Sequence, residues 1–361
     1  MIIHLISGFL GSGKTTAIVQ AVKKLFPGGV KCAVITNDQG SLLVDSNFMQ
    51  GIGVPYGEVT GGCFCCNYDQ LETRIWELKN QFNPDVIFAE TVGSCTDLVA
   101  TVLKPLWKFR SETDRVTFST LVDSRLMQLR LQGKALPFSR ETTYIWEKQI
   151  EESQILIMNK IDLVNKSRLS SFRKTVNELY GSKKLLFQNS NDPASAAGWL
   201  DALAAGEPSN PKSIDVDYEK YARGEANLAW LDETIDIGSD RGEALMMAHK
   251  FIERLVHSIT MKGGPIGHLK FLLQYNGQSV KVSYTSVVSR SLFRDLPPEL
   301  AGSVKMLINA RIQTSPKILK DLVEEVLSSL KNEPGITFRV EAASAFSPGF
   351  PRPTHRITEG F

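Results

Sequence analysis

The first half of the chain alternates short apolar runs with stretches that have the spacing of amphipathic helices. Breakers such as Pro27-Gly28-Gly29 and Asn83-Pro84 separate these segments. We predict strands at Ile2–Ser7, Lys31–Thr36, Asp85–Ala89, Val116–Val122, Gln154–Met158 and Leu185–Gln188. Strands that alternate with helices predict an α/β fold, a mostly parallel sheet with helices on both faces.

After about Leu203 the pattern changes, beginning with a loop rich in glycine and proline. The later segments predict strands at Asn227–Ile237, His268–Tyr275, Ser279–Thr285, Val304–Ile312 and Ile336–Ala342, with helices at Gly242–Ile259 and after Ser315-Pro316. This order predicts a smaller α+β domain with an antiparallel sheet backed by two helices. We therefore expect a first domain at 1–205, a linker at 206–226 and a second domain at 227–361.

The C-terminal stretch from Phe346 to Arg356 is rich in proline and aromatic residues. It is either a loose terminus or an extended segment docked on the body of the protein. We favour docking, because Phe346 and Phe350 would otherwise be exposed.

Composition narrows the classes of partner. The 361 residues carry a net charge of +2, which provides no basic field for nucleic acid. No apolar stretch approaches the roughly 18 residues that span a bilayer. The chain begins with a strand-like run and not with a basic leader. We expect a cytoplasmic protein that binds neither nucleic acid nor membrane.

A glycine-rich loop follows the first predicted strand and fits the pattern G-x-x-x-x-G-K-[ST]. Glycines let successive backbone N–H groups wrap phosphates, and the next helix presents its positive end to the same charge. We expect Lys14 to bridge the β- and γ-phosphates and the Thr15 hydroxyl to bind Mg²⁺. The predicted phosphate-binding residues are Gly8, Gly11, Ser12, Gly13, Lys14, Thr15 and Thr16.

A second motif, N-K-I-D, ends at Asp162 and indicates which base is bound. A carboxylate only accepts hydrogen bonds, and guanine offers two adjacent donors where adenine does not. Asp162 would therefore select guanine and leave adenine beside an unpaired carboxylate. Asn159 can tie this segment to the phosphate loop and Lys160 can cover the ring. Asn189 and Ser190 are candidates for the loop that closes over the base, so the sequence predicts GTP.

Two further segments are candidates for parts that move with the nucleotide state. Glu90 ends a predicted strand, where its carboxylate can hold a magnesium-bound water, and Gly93 can offer its N–H to the γ-phosphate. We assign Lys14, Glu90 and Gly93 to hydrolysis. Asp45 is a candidate for the other moving segment and, with Thr15 and Glu90, for the Mg²⁺ site.

Three of the five cysteines, Cys63, Cys65 and Cys66, lie within four residues in the segment GGCFCC. Thiolates suit Zn²⁺ or Cu⁺, and the two glycines permit the tight backbone that three ligands from one segment require. A buried apolar cluster or a redox pair is the alternative, although C-x-C-C is an unusual way to fill a core. The fourth ligand stays open between Glu58, water and a partner's side chain, and an open position suits a metal in transit.

Together these motifs resemble the CobW/HypB/UreG family of GTPases, and its CobW-like metallochaperone branch most closely. The matching segments are GFLGSGKTT at 8–16, the stretch 37–45, GGCFCC at 61–66, ETVG at 90–93 and NKID at 159–162. The resemblance supplies the main reason for choosing Asp45. It implies a GTPase core whose cysteines bind a transition metal between the nucleotide-responsive segments.

Three features depart from that family pattern. The segment NDQG stands at 37–40 where NEFG is more usual, and the usual histidine-rich loop is missing. Cys95 follows ETVG where a small or apolar residue is expected, so it is either a buried residue or a further ligand.

The resemblance implies a GTP-hydrolysing metallochaperone that carries Zn²⁺, or else Co²⁺ or Ni²⁺, to a client metalloprotein. A chaperone for a cobalamin- or corrinoid-dependent enzyme, a regulatory GTPase with a structural zinc, and a protein that uses ATP remain alternatives. Members of the family can pair across the nucleotide, which allows a homodimer.

Overall fold

The computed structural model describes residues 1–37, 53–109, 115–205, 212–262, 264–286 and 300–359. The described residues form two compact units, unit 1 with residues up to 224 and from 350 onwards, and unit 2 with residues 225–349. The domain boundaries expected at 205 and 226 remain predictions. Asp45 lies outside the described residues.

Unit 1 is built on a seven-stranded sheet in which every pairing is parallel. Its strands are β1 (Ile2–Ser7), β2 (Cys32–Asn37), β3 (Tyr56–Val59), β4 (Val86–Glu90), β5 (Arg115–Asp123), β6 (Ile155–Asn159) and β7 (Lys184–Phe187). The central strands are nearly continuous apolar runs, and β4 and β6 are buried along their whole length. Such runs form strands that are covered on both faces, as a parallel sheet requires.

Eight helices accompany this sheet among the described residues. They are α1 (Lys14–Leu25), α2 (Tyr68–Phe82), α3 (Lys104–Phe109), α4 (Ser124–Leu131), α5 (Arg140–Glu152), α6 (Leu169–Tyr180), α7 (Ala196–Ala205) and α8 (Tyr218–Ala226). A π-helical turn, Val99–Leu103, leads into α3. Helix α1 buries Ala17, Ile18 and Ala21 completely, which is the apolar stripe that its sequence spacing predicts. The predicted α/β fold is confirmed.

The strand order is β3-β2-β4-β1-β5-β6-β7, so the chain reverses its direction of travel across the sheet at β1. In open parallel sheets, ligands bind outside the carboxyl ends of the strands at such a switch point. The phosphate loop follows β1 there. Glu90 ends β4 and Asn159 ends β6, so the topology brings the separate sequence motifs to one edge.

Unit 2 holds a five-stranded antiparallel sheet in the order β10-β9-β11-β8-β12. Its strands are β8 (Ala229–Ser239), β9 (Ile266–Tyr275), β10 (Gln278–Tyr284), β11 (Ser303–Ile312) and β12 (Ile336–Phe346), and its helices are α9 (Ala244–Met261) and α10 (Pro316–Leu330). Ser315 caps α10, accepting a hydrogen bond from the N–H of Ile318. Both helices share a core with the sheet, as in Phe251 and Leu322. The predicted α+β architecture is confirmed.

The C-terminal tail, which we define as Phe350–Glu359, packs within unit 1. The N–H of Ile357 donates to the carbonyl of Ala100 at 2.8 Å. The Arg356 guanidinium donates to the Asp97 carboxylate at 2.7 Å. The expected docking is confirmed; of the two aromatic residues expected to be covered, Phe346 ends β12 and packs against Trp230, whereas Phe350 remains 48% exposed. Polar contacts hold the tail, together with the ring of His355, which packs against the rings of Tyr68 and Phe109.

No helix within the described ranges has the length and apolar character needed to cross a membrane.

Candidate functional site

The phosphate loop needs glycine at two positions for steric reasons. Gly8 and Gly13 have φ values of 139° and 94°, in the region that favours glycine. A Cβ on Gly8 would lie 2.2 Å from the carbonyl oxygen of Leu121, and one on Gly13 would lie 2.4 Å from Nδ2 of Asn159. The loop is therefore pressed against the ends of β5 and β6, which fixes its shape.

The last two side chains of the G-x-x-x-x-G-K-[ST] pattern, Lys14 and Thr15, are buried at the switch point of the sheet. The Lys14 ammonium donates to the carbonyl of Gly8 at 2.8 Å, which places it across the loop. The Thr15 hydroxyl donates to Oε1 of Glu90 at 3.0 Å. Mg²⁺ with oxygen ligands at about 2.1 Å holds neighbouring oxygens about 3 Å apart. The Thr15–Glu90 pair therefore has the chemistry and the spacing that Mg²⁺ requires.

The loop after Glu90 is buried and lies directly against the phosphate loop. A Cβ on Gly93 would lie 2.7 Å from Cδ2 and 3.0 Å from the backbone nitrogen of Leu10. The Gln149 amide donates to the carbonyls of Gly93 and Cys95 at 3.1 and 2.8 Å. The backbone of this loop is thus set by the phosphate loop on one side and by α5 on the other.

Asn159 joins three segments at the predicted base-binding end of the site. It is fully buried, and its amide donates to the carbonyl of Ser12 at 2.7 Å. Its Oδ1 accepts from both the N–H and the hydroxyl of Ser190, at 3.1 and 2.8 Å. Asn189 shapes the adjacent turn, since its Oδ1 accepts from the N–H of Asn191. Asn159 and Ser190 thus lie together, whereas the Asn189 side chain serves its own loop.

Lys160 connects the base-binding motif to a residue that sequence reasoning missed. Its ammonium donates to the carbonyl of Gly11 at 2.6 Å and lies 3.0 Å from the Asp123 carboxylate. Burial works to raise the pKa of Asp123, but Lys160 and Arg125 hold it below its ordinary value. Asp123 ends β5, so an acidic residue directly after an apolar run was the available signal. Asp162 is exposed in the turn that follows.

The three sulfurs of the C-x-C-C motif form one group. Cys63 Sγ lies 2.7 Å from Cys65 Sγ and 3.3 Å from Cys66 Sγ, and the third distance is 3.8 Å. Tetrahedral Zn²⁺ with bonds of about 2.3 Å separates its sulfurs by about 3.8 Å. The group would have to open by about 1 Å at most to hold such an ion. Its donors are the soft ligands that Zn²⁺ and Cu⁺ prefer.

Asn37, at the end of β2, fixes the backbone that carries these cysteines. Its amide donates to the carbonyls of Val59 and Gly62 at 3.0 and 2.8 Å, and its Oδ1 accepts from the N–H of Phe64 at 2.8 Å. These three hydrogen bonds explain how a four-residue segment can turn its thiols to one side. The sequence shows Asn37 at the end of a strand, but only the fold reveals that it shapes the cysteine segment.

The cysteines differ in their readiness to ionise. Hydrogen bonds from the thiols of Cys65, Cys66 and Cys95 hold the pKa of Cys63 well below its ordinary value. The same contact with Cys63, reinforced by burial, raises the pKa of Cys65. The thiols of this group therefore differ in acidity, and a divalent cation would favour their ionisation.

Two of the open candidates for a fourth ligand can now be located. Cys95 is fully buried, and among the described residues the sulfurs that lie close enough to share one ion are those of Cys63, Cys65 and Cys66, without Cys95. Glu58 lies in β3, and within the described residues the ligand group comprises the three cysteine sulfurs without it.

The C-terminal tail passes directly over the cysteine segment. The N–H of Arg352 donates to Cys66 Sγ at 3.3 Å, and the N–H of Thr354 donates to the carbonyl of Cys65 at 2.8 Å. The ring of His355 lies 5.1 Å from that of Tyr68, at the start of α2. Sequence spacing could not show this contact, because about 290 residues separate its partners.

Comparison with known proteins agrees with this geometry. Residues 2–187 match the family model described as CobW/HypB/UreG, nucleotide-binding domain. The zinc chaperone CobW of a Sinorhizobium species is 28% identical over 215 residues, which cover 53% of this chain and 60% of that protein. The zinc-regulated GTPase metalloprotein activator 1 of Dictyostelium discoideum is 24% identical over 214 residues, 51% of this chain and 45% of that protein. The match thus spans less than two thirds of these relatives.

Among solved structures, nickel-bound HypB from Helicobacter pylori aligns with a TM-score of 0.38 and 16% identity, covering 56% of this chain and 86% of that one. The family model, in contrast, covers more than half of the 361 residues and includes the phosphate loop, the cysteine segment and the N-K-I-D motif. The chain therefore belongs to the CobW/HypB/UreG family.

Proposed function

We propose that this protein hydrolyses GTP and uses the nucleotide state to control a transition metal, Zn²⁺ first among the candidates, that it delivers to a client protein. The observation that carries the proposal is that three loops leave the sheet at the same edge. The cysteine segment follows β3, the Glu90 loop follows β4 and the phosphate loop follows β1. Asn37, between the first two, already bonds to the cysteine segment.

The nucleotide is GTP in this proposal because of the segment after β6. Lys160 and Asn159 are anchored to the phosphate loop, which sets the distance between phosphates and base. Asp162 follows in an exposed position, where its carboxylate can accept from N1–H and the 2-amino group of guanine.

Hydrolysis would use the residues packed around the start of α1. Water attacks the γ-phosphorus and the bond to the bridging oxygen breaks, which yields GDP and inorganic phosphate. Lys14 and the N–H of Gly93 would stabilise charge on the γ-phosphate. Mg²⁺, when held by Thr15 and Glu90, would offset charge on the β- and γ-oxygens. Departure of phosphate removes the partner of Gly93, so the loop at 90–95 would respond.

The metal is cargo, and its donors would be Cys63, Cys65 and Cys66. The names of the relatives support zinc, since those proteins are called zinc chaperones or zinc-regulated. None of the five cysteines, all of which lie in the described ranges, forms a disulfide. Reduced thiols suit the cytoplasm, where we place the protein.

Calorimetry of Zn²⁺ binding in the presence of a non-hydrolysable GTP analogue and of GDP tests the proposal. Linkage requires that Zn²⁺ change the affinity for GTP by the same factor as GTP changes the affinity for Zn²⁺. We expect a factor of about 5 to 150, the usual range for coupled sites. Equal Zn²⁺ affinity with both nucleotides would refute the coupling. The triple variant Cys63→Ser, Cys65→Ser, Cys66→Ser should lose the metal in elemental analysis and retain GTP.

A further inference from the structure

The C-terminal tail contacts the most accessible sulfur of the C-x-C-C group. Cys63 and Cys65 are buried, and Cys66 is the partly exposed member. The N–H of Arg352 donates to Cys66 Sγ at 3.3 Å. Two residues further on, the N–H of Thr354 donates to the carbonyl of Cys65 at 2.8 Å, and its hydroxyl donates to the carbonyl of Cys66 at 3.2 Å. The docked tail therefore lies against the sulfur that solvent reaches most easily.

The second half of the tail is held by groups outside the cysteine segment. The Arg356 guanidinium donates to the fully buried Asp97 carboxylate at 2.7 Å. The Lys104 ammonium donates to the carbonyls of the last two tail residues, at 3.2 and 2.9 Å. These contacts lie two or more residues beyond Thr354. A substitution there can loosen the tail without touching a thiol.

The tail buries little apolar surface. Of its ten residues, Pro351 alone is buried. The ring of His355 packs against those of Tyr68 and Phe109, but Phe109 is itself 50% exposed. A segment with few buried apolar contacts opens at a low free energy. The tail can therefore leave while the rest of unit 1 stays folded.

We propose that the tail is a displaceable cover of the C-x-C-C sulfurs, and that these sulfurs are reached, and a bound metal exchanged, after the tail has left. The purpose of the cover rests on the proposed metal site, whereas the contacts that hold it do not. In the docked state the N–H of Arg352 also stabilises negative charge on Cys66, because hydrogen bonds to ionised groups are the stronger ones. The docked tail retains the metal. Its detachment exposes Cys66, where the ligands of an acceptor protein can enter.

Alkylation of the metal-free, full-length protein with iodoacetamide tests the cover without any metal, when mass spectrometry follows each cysteine separately. The rate at Cys66 should follow the fraction of molecules whose tail is detached. Arg356→Gln should raise that rate about 10-fold, less than loss of a fully buried pair would give, because the Arg356 side chain is 35% exposed. Arg168→Gln, at an exposed position, removes the same charge elsewhere in unit 1 and should leave the rate unchanged.

Two further measurements separate detachment of the tail from general unfolding. Cys32 is buried in β2 and serves as the internal reference, so each rate at Cys66 is divided by that at Cys32. Gly349→Ala acts in the opposite direction. Nothing lies within 4 Å of a Cβ at Gly349, and its φ is not positive. By restricting the detached chain, this substitution should lower the ratio about 2- to 5-fold.

The outcomes distinguish this inference from the proposed function. Equal ratios in the wild type, Arg356→Gln and Gly349→Ala would overturn the cover and leave the C-x-C-C metal site standing. Release of bound Zn²⁺ to a chelator should change by the same factors as the ratios, and unchanged release would overturn the control of metal exchange. Shifted ratios in a protein that binds no stoichiometric Zn²⁺ would refute the proposed function and retain the cover. Gly349→Ala introduces no clash, so the test decides even if Arg356→Gln does not fold.

Discussion

Gly93 shows how little space separates the phosphate loop from the loop that follows Glu90. A Cβ there would meet the backbone nitrogen of Leu10 at 3.0 Å, a contact that is relieved only if one of the two loops moves. We expect Gly93→Ala to weaken GTP binding about 10-fold or more, because overpacking at such a contact costs about 1–3 kcal/mol. Isothermal titration calorimetry with GTP measures this loss of affinity.

Gly198→Ala is the matched control. Nothing lies within 4 Å of a Cβ at Gly198, and this residue is in helix α7. It should leave GTP affinity unchanged and stabilise the helix by about 0.5–1 kcal/mol. Equal GTP affinity for Gly93→Ala and the wild type would contradict the tight packing of the two loops.

Asp162 should determine which base is accepted. Asp162→Asn replaces one acceptor oxygen with an N–H₂ donor, which then faces the donors of guanine. Affinity for GTP should fall about 10- to 100-fold, the value of one or two hydrogen bonds to a charged group. Affinity for xanthosine triphosphate, which presents a carbonyl in place of the 2-amino group, should rise. Competition binding with GTP and xanthosine triphosphate provides the measurement, and Asp201→Asn, at an exposed position, is the control. Full GTP affinity in Asp162→Asn would show that Asp162 does not contact the base.

At this scale the sequence predicts residues whose role follows from local chemistry. The phosphate loop and the cysteines are recognisable because their chemistry requires a fixed spacing within one segment. The roles of Asp123 and Asn37 in the site were not predicted, because the residues that they bond to, Lys160 and Val59, lie on or next to other strands. Their positions at strand ends are visible in the sequence, but the order of the strands in the sheet is not.

Among the elements, the tail is attached through a buried ion pair as well as through backbone hydrogen bonds. Asp97 is fully buried and accepts from Arg356 and from the Tyr218 hydroxyl, each at 2.7 Å. Burial raises the pKa of Asp97, and Arg356 opposes that rise. Arg356→Gln would leave a buried carboxylate without its counter-ion, so the tail should detach more readily.

Hydrogen exchange can follow this detachment at two amides. The N–H groups of Thr354 and Ile357 bond to Cys65 and Ala100 in the rest of unit 1 and should exchange several-fold faster in Arg356→Gln. Arg352→Gln is the matched control, because it removes the same charge from the same tail while the contact of Arg352 to Cys66 uses only its backbone. Equal protection in both variants would show that the ion pair does not hold the tail.

Helices and strands were predictable where the periodic pattern of apolar residues extends over many positions. Helix α1 ends at Leu25, just before the breaker Pro27-Gly28-Gly29, and the strands agree within two residues except for β12, which continues four residues beyond its predicted end at Ala342. Strand β3 was missed since it has only four residues, follows Pro55, contains Gly57 and pairs on one side alone. Its hydrogen bonds come from β2, so its strand character is a tertiary effect that propensity does not show.

At the scale of the whole molecule, stability should depend on the protonation of a buried acid, Glu152, at the end of α5. Its carboxyl accepts from the Thr96 hydroxyl at 3.1 Å and the N–H of Val99 at 3.2 Å. Burial, with the nearby charge of Asp97, raises its pKa to about 8 from the ordinary 4.5. Lys183 is the cation whose charge interacts with it. The folded protein therefore retains at neutral pH a proton that the unfolded chain has lost.

The sign of the pH dependence follows from that proton. Below pH 4.5 both states hold it, so Glu152 contributes no slope. Between about 4.5 and 8 the folded state binds more protons, so its contribution lowers the free energy of unfolding as pH rises, by up to about 1.4 kcal/mol per pH unit. Above about pH 8 both states are ionised and the slope ends. Glu152→Gln mimics the neutral acid, and the Thr96 hydroxyl can reverse to accept from the new amide.

Urea unfolding gives the free energy of unfolding of the wild type and of Glu152→Gln at pH values from 5 to 8. We expect the free energy of the variant to exceed that of the wild type by an amount that grows with each step in pH. Because the protein has two units, the free energy should come from a probe in unit 1, such as the protection of amides in β1. Exposed Glu151→Gln removes a neighbouring carboxylate and should show no such growth. A constant difference between the wild type and Glu152→Gln across this range would mean that Glu152 is already ionised in the folded protein. In that case the polar groups around the carboxylate would stabilise its charge by more than burial destabilises it.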